Sequence, residues 1–349
     1  MKGRERALAI DVGTARTKIS KSGGVVLDEP TICAANPMDK RFEGFGEQAL
    51  CRLQVESGVL RAVCPVEEGA LTDGVAAEAM LKSYVSRALG SRYLRFARAV
   101  IAAPQQGSEI AKRSLCHAAQ LSGALRVRMV DGLLAAAAGA GVNIAQSRAV
   151  LVADIGAGQS CAAVIACGGR VASVQGSVSG NGMDRALAQY LESAHGITVG
   201  RNAARALREA LPALLREPAV QLRGWDLNTH LPAERKVAPG ELCEALAPSL
   251  KRLAGMALDC IALAPGDAAG DLAETGIVLV GGGAKTLGLK EYLQQASGLK
   301  VTLPGEPEHC CALGMLALMD GAFLARGGRE IGWFPPWEME EEAAWAQRA

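Results

Sequence analysis

Residues 7–20 read ALAIDVGTARTKIS, an apolar strand that enters an Asp-x-Gly turn and returns as a second strand. Residues 149–165 read AVLVADIGAGQSCAAVI and follow the same order, with the aspartate 143 residues further along the chain. A glycine-containing turn between two apolar runs predicts a β-hairpin. A segment that recurs once in each half of a chain indicates an internal structural repeat. We therefore predict two similar halves, each beginning with such a hairpin.

Strands alternate with helices along the rest of the chain, a pattern that predicts α/β layers. Buried strands are expected over residues 98–103 and 275–280, and the second of them enters a cluster of three glycines. Helices are predicted over residues 106–122, 133–141, 182–194, 201–211, 241–263, 287–297 and 312–324. From residue 327 onward the sequence is rich in Gly, Pro and Glu and carries three tryptophans, which is typical of a tail.

The composition excludes several classes of protein. Half of the 349 residues are hydrophobic, so the chain can bury a large core without disulfides or structural metals, and intrinsic disorder is excluded. With 37 basic and 36 acidic residues the net charge is +1, which disfavours nucleic acid as a partner. The ten cysteines form no CxxC motif. No apolar run reaches the roughly 18 residues of a membrane span, and no signal peptide is evident, so we expect a cytoplasmic protein.

Each Asp-x-Gly turn offers the groups that a metal-bound polyphosphate requires. Glycine lets backbone amides approach phosphate oxygens closely. Asp11 and Asp154 are predicted to hold Mg²⁺ through water, because Mg²⁺ keeps most of its hydration shell. A single such turn is common in hairpins. Two turns and a third glycine cluster, placed between a strand and a helix, together predict a nucleotide clamped between two domains.

The order of these motifs resembles the actin, chaperone and sugar-kinase superfamily, and within it the bacterial actin family MreB. The phosphate turns are shared by the whole superfamily, whereas Glu29-Pro30 and Arg223-Gly224 point to MreB. The chain also resembles the MamK filament proteins, which are the second choice of family. Residues 154–158 and Gly180-Asn181 carry this resemblance. The resemblance extends from about residue 7 to about residue 319.

The resemblance implies an actin-like two-lobed α/β fold, with a mixed five-stranded sheet and flanking helices in each lobe and the nucleotide in the interlobe cleft. Residues 1–135 would form the first lobe, with a small subdomain inserted at about 28–65. The second lobe would comprise residues 136–325, with a subdomain at about 182–250, and its final helix (312–324) would pack back toward the first lobe. Residues 326–349 would form an acidic, tryptophan-containing tail.

The resemblance also implies ATP or ADP with Mg²⁺ as ligands, and it assigns the groups that bind them. Glu209 would contact the ribose, or it is an ordinary solvent-facing helix residue, since the basic residue expected two positions earlier is Leu207. Asp131 and Asp154 are the catalytic candidates. The implied nucleotide-binding residues are Asp11, Gly13, Thr14, Ala15, Thr17, Asp154, Gly156, Ala157, Gly158, Gln159, Glu209, Gly281, Gly282 and Gly283.

Two departures from the family pattern concern hydrolysis. The acidic residue that positions the attacking water in the family falls on Gly132, one residue after Asp131. The second turn reads Gly158-Gln159-Ser160 where the family usually has Gly-Thr-Thr. Poor orientation of a water costs about two orders of magnitude in rate. We expect intact ATP binding with slow hydrolysis, unless a shifted helix brings Asp131 into place.

The family forms filaments of its own subunits on the inner membrane, so self-association is the expected partnership. A loop here interleaves cations with apolar side chains, a composition suited to anionic lipid. It would place the chain at the periphery of the inner membrane, or it is a plain strand entry with Phe96 packed inside. The loop residues are Arg92, Tyr93, Leu94, Arg95 and Phe96.

Three functions are open at this point. The first is a cytoskeletal ATP-binding filament protein for cell shape or intracellular organisation. The second is a non-polymerising adaptor or pseudo-ATPase of the same fold, similar to FtsA, which the glycine at position 132 and the tryptophan-rich tail favour. The third, a small-molecule kinase, is disfavoured. The sequence shows neither a catalytic aspartate placed to act on a substrate alcohol nor the larger insertions that bind sugars.

Overall fold

The computed structural model describes residues 7–22, 24–56, 58–90, 96–103 and 109–319. They divide into two compact units. The first unit contains residues up to 139 together with those from 311 onward, and the second contains residues 140–310. Within the described ranges, no helix has both the length and the hydropathy that a membrane span needs.

The first unit is built on a mixed five-stranded sheet. A smaller three-stranded sheet is formed by strands that lie between the third and ninth strands along the chain. The strands of this unit are β1 (Ala7–Val12), β2 (Arg16–Lys21), β3 (Gly24–Pro30), β4 (Cys33–Ala35), β5 (Phe42–Phe45), β6 (Arg61–Val63), β7 (Val66–Glu67), β8 (Ala70–Leu71), β9 (Phe96–Ala103) and β10 (Ala124–Asp131). Its helices before residue 140 are α1 (Glu47–Val55), α2 (Gly74–Leu89), α3 (Glu109–Leu121) and α4 (Gly132–Gly139). The large sheet has the order β10-β9-β1-β2-β3 and the small one the order β5-β4-β6.

The second unit has the same kind of large sheet. Its strands are β11 (Val150–Ile155), β12 (Ser160–Ala166), β13 (Gly169–Gln175), β14 (Ile197–Thr198), β15 (Val220–Asp226), β16 (Pro232–Val237), β17 (Ile277–Val280) and β18 (Val301–Thr302). Its α-helices are α5 (Gly180–His195), α6 (Arg201–Leu214), α7 (Pro239–Ala262), α8 (Ala268–Thr275) and α9 (Leu289–Ser297), with 3-10 turns at Gly282–Lys285 and Pro307–His309. The chain returns to the first unit in α10 (Cys310–Met319).

The two large sheets repeat one topology. In the first, β1, β2 and β3 form an antiparallel meander, and β9 and β10 extend it in parallel on the other side of β1. In the second, β11, β12 and β13 form the meander, and β17 and β18 extend it in parallel. The prediction of an internal repeat with one mixed five-stranded sheet in each half is confirmed.

Helix α2 supplies the largest fully buried side chain of the first unit, Tyr84, and the sequence analysis did not predict this helix. The helix begins where the Asp73 side chain accepts the backbone N–H of Ala76 at 2.9 Å, and it ends at Gly90 in the left-handed region. Both are ordinary helix boundary signals. Its fully buried Tyr84 donates a hydrogen bond to the carbonyl of Pro30.

Glu29 explains why the Glu-Pro pair at the end of β3 matters structurally. The residue is buried, and its Oε2 accepts the backbone N–H of Glu47 at 2.9 Å, at the start of α1. Its other oxygen pairs with Arg87 of α2. A buried carboxylate with an arginine and a helix N-terminus as partners ties three elements of the first unit together.

Phe96 corrects one expectation about the membrane loop. The side chain is 2% exposed and packs in the core of the first unit, at the start of β9. It is therefore not a membrane anchor, and the strand-entry alternative holds for this residue. The other loop residues, 92–95, lie outside the described residues, as do the predicted tail and the predicted end of the last helix.

Candidate functional site

The first Asp-x-Gly turn joins β1 to β2. The Gly13 amide donates to the carbonyl of Arg16 at 3.1 Å, and a Cβ at Gly13 would lie 2.8 Å from that oxygen. Asp11 sits opposite Lys18 in the β1–β2 register, and Asp11 Oδ2 lies 3.8 Å from Lys18 Nζ. The turn therefore needs glycine, and it combines an aspartate with a cation that the sequence analysis missed.

Hydroxyl groups from the surrounding segments hold this turn in place. Thr31 Oγ1 donates to the carbonyl of Gly13 at 2.7 Å and lies 2.9 Å from Thr17 Oγ1. Thr17 is fully buried, so its hydroxyl supports the turn from within the core. The Gly69 amide, between β7 and β8, donates to Thr14 Oγ1 at 2.9 Å.

The second turn, between β11 and β12, has the same backbone geometry. The Gly156 amide donates to the Gln159 carbonyl at 2.9 Å, and a Cβ at Gly156 would lie 2.8 Å from that oxygen. Here a helix supplies the support. The amides of Gly180 and Asn181, in the first turn of α5, donate to the carbonyls of Gly156 and Ala157 at 2.9 and 2.8 Å.

The third glycine cluster lies against the strand that carries Asp154. Gly281 has a φ of +84°, and a Cβ there would lie 2.3 Å from Asp154 Oδ1. A Cβ at Gly283 would lie 2.6 Å from Ile155. The second unit thus brings the predicted Asp154, the turn after it and the glycine cluster together, and side chains at Gly281 and Gly283 are sterically excluded.

Residues 5–323 match the sequence model of the family described as MreB/Mbl protein. The chain belongs to the MreB/Mbl family. It is similar to the cell shape-determining protein MreB of Escherichia coli strain K12, with 28% identity over 318 residues, 88% of this chain and 91% of that protein.

Solved structures agree with this family assignment. The crystal structure of MreB5 of Spiroplasma citri bound to AMPPNP superposes with a TM-score of 0.85 at 26% identity, over 92% of this chain and 97% of that one. The MamK double helical filament gives a TM-score of 0.70 at 21% identity, over 90% and 99% of the two chains, which shows the shared fold. The predicted actin-like fold and the MreB family resemblance are confirmed.

Glu209 and its neighbours on α6 differ in their exposure to solvent. Glu209, the expected ribose contact, has a side chain that is 63% exposed. Leu207, where the family has a basic residue, is buried. The adjacent Arg208 is 5% exposed and does not face solvent. Glu209 remains a prediction as a ribose ligand.

Arg208 belongs to a buried ionic cluster that the sequence analysis missed. Its Nε donates to Asp184 Oδ1 at 2.6 Å, and its Nη1 donates to Thr286 Oγ1 at 3.1 Å. Arg205 donates to the other oxygen of Asp184 at 3.3 Å and to Asn181 Oδ1 at 2.8 Å. The cluster joins the start of α5, next to the second turn, to the segment that follows the glycine cluster. Its only sequence signal is a pair of arginines three residues apart on α6.

Asp131 has a structural task in the first unit. Its Oδ1 accepts the backbone amides of Leu133 at 2.9 Å and Leu134 at 3.1 Å, so it caps the N-terminus of α4. Gly132 is buried, and a Cβ there would lie 3.4 Å from the Ala103 carbonyl, an ordinary contact distance. The catalytic role predicted for Asp131 stays a prediction, and this oxygen is already engaged.

The groups at the turns suit ATP with Mg²⁺. Within the described ranges, no cluster of three or more His, Cys, Asp or Glu side chains could hold a metal ion by itself. Each turn has one aspartate, Asp11 or Asp154, and Mg²⁺ usually takes only one or two protein carboxylates and completes its shell with water and phosphate. Burial raises the pKa of the Cys310 thiol to about 11, and the nearby Asp154 carboxylate adds to the shift. The thiol is therefore neutral at pH 7 and is not a nucleophile beside Asp154.

Proposed function

We propose that the chain is a cytoskeletal protein that binds ATP with Mg²⁺ and polymerises into filaments that serve cell shape or intracellular organisation. The observation that carries the proposal is the duplicated turn. In both units an aspartate precedes a glycine whose amide bonds to the carbonyl three residues on. The Escherichia coli relative is named as cell shape-determining, and Spiroplasma citri MreB5 has been crystallised with AMPPNP and with ADP.

Each unit offers groups that would bind ATP. The backbone amides of residues 13–15 and 156–158 would bind its phosphates, because such turns present several N–H groups to one anion. The glycine cluster, with Glu209, would bind the adenosine. Asp11 and Asp154 would hold Mg²⁺ through water, and the bound ion would neutralise phosphate charge. We also propose that the first lobe ends near residue 135 and that the second lobe begins there.

Self-association is proposed as the partnership, since the fold it shares with MamK is found there in a double helical filament. Membrane contact would come from residues 92–95, without Phe96, on the cytoplasmic face of the inner membrane. A filament repeats such a loop along one face, so weak single contacts would add to a useful avidity. Binding should weaken with salt, because the two arginines of that loop are screened.

Thermal unfolding with ATP and Mg²⁺ tests the nucleotide proposal. A ligand present at 100 times its Kd stabilises the folded state by about 2.7 kcal/mol, so a clear rise in melting temperature is expected. Asp11→Ala and Asp154→Ala should abolish the rise. Asp259→Ala, an exposed aspartate on α7, is the matched control and should keep it. An unchanged shift in both site variants would refute the assignment.

The second candidate function is that of an adaptor or pseudo-ATPase. Two observations favour it: Gly132 carries no side chain, and Asp131 caps the N-terminus of α4. Pelleting and electron microscopy with and without ATP and Mg²⁺ separate the two functions. Filaments support the first candidate, whereas ATP binding without filaments supports the second. If an acid at position 132 is the missing group, Gly132→Glu should raise the rate of ATP turnover.

A further inference from the structure

Gln159, the last residue of the second turn, has a buried oxygen without a partner. Among the described residues, Gln159 Oε1 is shielded from solvent and accepts no hydrogen bond. A buried acceptor without a donor costs free energy, and in native proteins such atoms can have a catalytic role. The residue is therefore placed to receive a hydrogen bond from something that binds at this turn.

The backbone around this side chain is fixed on both sides. The Gln159 carbonyl accepts the Gly156 amide, and the hydroxyl of the next residue, Ser160, donates to the Val178 carbonyl. In addition, α5 donates two amides to the turn, to the carbonyls of Gly156 and Ala157. A side chain on such a support starts from a defined position, which is the condition for orienting a small molecule without a large entropic cost.

Other buried polar atoms without partners do not share this placement. Ser20 Oγ lies on β2 of the first unit. Glu308 Oε2 belongs to a carboxylate whose other oxygen already accepts a bond from Lys285. Among these three residues, only Gln159 lies on a turn that is proposed to bind phosphate.

We infer that the Gln159 carboxamide positions the water that attacks the γ-phosphate of ATP, an inference that rests on the proposed function. Oε1 would accept one O–H of this water and direct the water oxygen at phosphorus. Glutamine can serve this purpose in phosphoryl transfer because it orients water without needing to take its proton. The family's hydroxyl at position 159 and its acid at position 132 are both absent here, and Gln159 offers a replacement acceptor.

The reaction balances without a protein base. The water oxygen forms a bond to the γ-phosphorus, and the bond from that phosphorus to the β–γ bridging oxygen breaks, its electron pair remaining on ADP. One water proton stays on the phosphate product and the other is released to solvent. Gln159 begins and ends the step as the same neutral amide.

The test measures phosphate release against ATP concentration for the full chain and for Gln159→Met, which keeps the side-chain length and removes the acceptor. We expect kcat to fall by about 100-fold, the effect of a misplaced water, while the ATP KM and the Kd for AMPPNP stay unchanged. The melting temperature without nucleotide should not fall, because no bond within the protein is lost. Gln159→Thr, which restores a hydroxyl, should recover part of kcat.

Gln295→Met, at an exposed glutamine on α9, is the control and should behave as the unmodified chain. An unchanged kcat in Gln159→Met would overturn the inference. So would a parallel loss of AMPPNP binding or of stability, because the side chain would then hold the nucleotide or the fold. If the unmodified chain binds AMPPNP but hydrolyses no ATP, this inference fails and the proposed nucleotide binding stands. If it binds neither nucleotide, both fail.

Discussion

The turn after β1 and the turn after β11 have the same backbone but different supports. In both, a glycine amide reaches the carbonyl three residues on, at 3.1 Å in the first turn and 2.9 Å in the second. The first turn is held by the neutral hydroxyls of Thr31 and Thr14. The second is held by the N-terminus of α5, and Asp184 of that helix is bound in turn by two arginines.

The difference shows that one local motif can depend on unlike physics in its two copies. Hydroxyl supports do not titrate near neutral pH, and each contributes about 1 kcal/mol. A buried ionic cluster is nearly balanced while it is complete, and it becomes costly when one partner is removed. The second turn should therefore be the more sensitive one to mutation.

The largest expected effect is on the ionic cluster of the second unit. Asp184→Ala leaves Arg208 buried beside an empty position, so the free energy of unfolding should fall by about 3–5 kcal/mol. Urea denaturation at pH 7 measures it. Glu234→Ala removes the acid of an exposed pair with Arg223 and is the control, with little change expected. A loss below about 1 kcal/mol for Asp184→Ala would mean that α5 does not depend on this cluster.

A smaller effect is expected at the glycine cluster. Gly281→Ala introduces a Cβ into the space of Asp154 at a positive φ, and such strain costs about 1–3 kcal/mol. It should also reduce the stabilisation by ATP and Mg²⁺, as thermal unfolding would show. Gly282→Ala is a close control, because its Cβ would have 3.9 Å to its nearest neighbour and its φ is not positive. Equal stability of the two variants would contradict the close packing on β11.

The first turn should respond more weakly. Thr31→Val keeps the shape and removes the hydroxyl that bonds to Gly13 and Thr17, so we expect a loss of about 1–2 kcal/mol. Thr302→Val, at an exposed threonine on β18, should change little when both are compared by urea denaturation. If Thr31→Val cost as much as Asp184→Ala, the contrast between the two supports would be lost.

The smallest expected effect is on stability at acidic pH. It arises at the C-terminal end of α5. The Tyr190 hydroxyl, then the Ala238 amide and His195, bond to the Glu241 carboxylate and hold its pKa below the ordinary value of 4.5. A lowered folded-state pKa means that this stabilisation is present above pH 4.5 and is lost as the pH falls through the folded value. The stability difference between the unmodified chain and Glu241→Gln should therefore shrink below pH 4. A difference that is constant from pH 7 to pH 3 would exclude this carboxylate as the cause.

Local signals in the sequence predicted much of the fold. Local sequence patterns predict the two hairpin turns, the glycine cluster and most helices. These elements depend on residues that lie within a few positions of one another. Helix α2 was also legible, since Asp73 and Gly90 mark its two ends, but it was not predicted. The three-stranded sheet of β14, β15 and β16 was missed as well, although an alternating exposure pattern runs along β15 and β16.

The sequence by itself determined the duplicated Asp-x-Gly turns, because turn geometry follows from the residues in the turn, and with them the family resemblance and the proposed phosphate sites. Only the tertiary structure decided what supports each turn and what remains without a partner. Asp184 meets arginines 21 and 24 residues away, and Arg208 meets Thr286 across 78 residues. Tertiary packing also buries Phe96 and leaves the Gln159 side-chain oxygen without a hydrogen-bond partner. Burial and the pairing of polar groups depend on which distant segments pack together, and no local pattern encodes that.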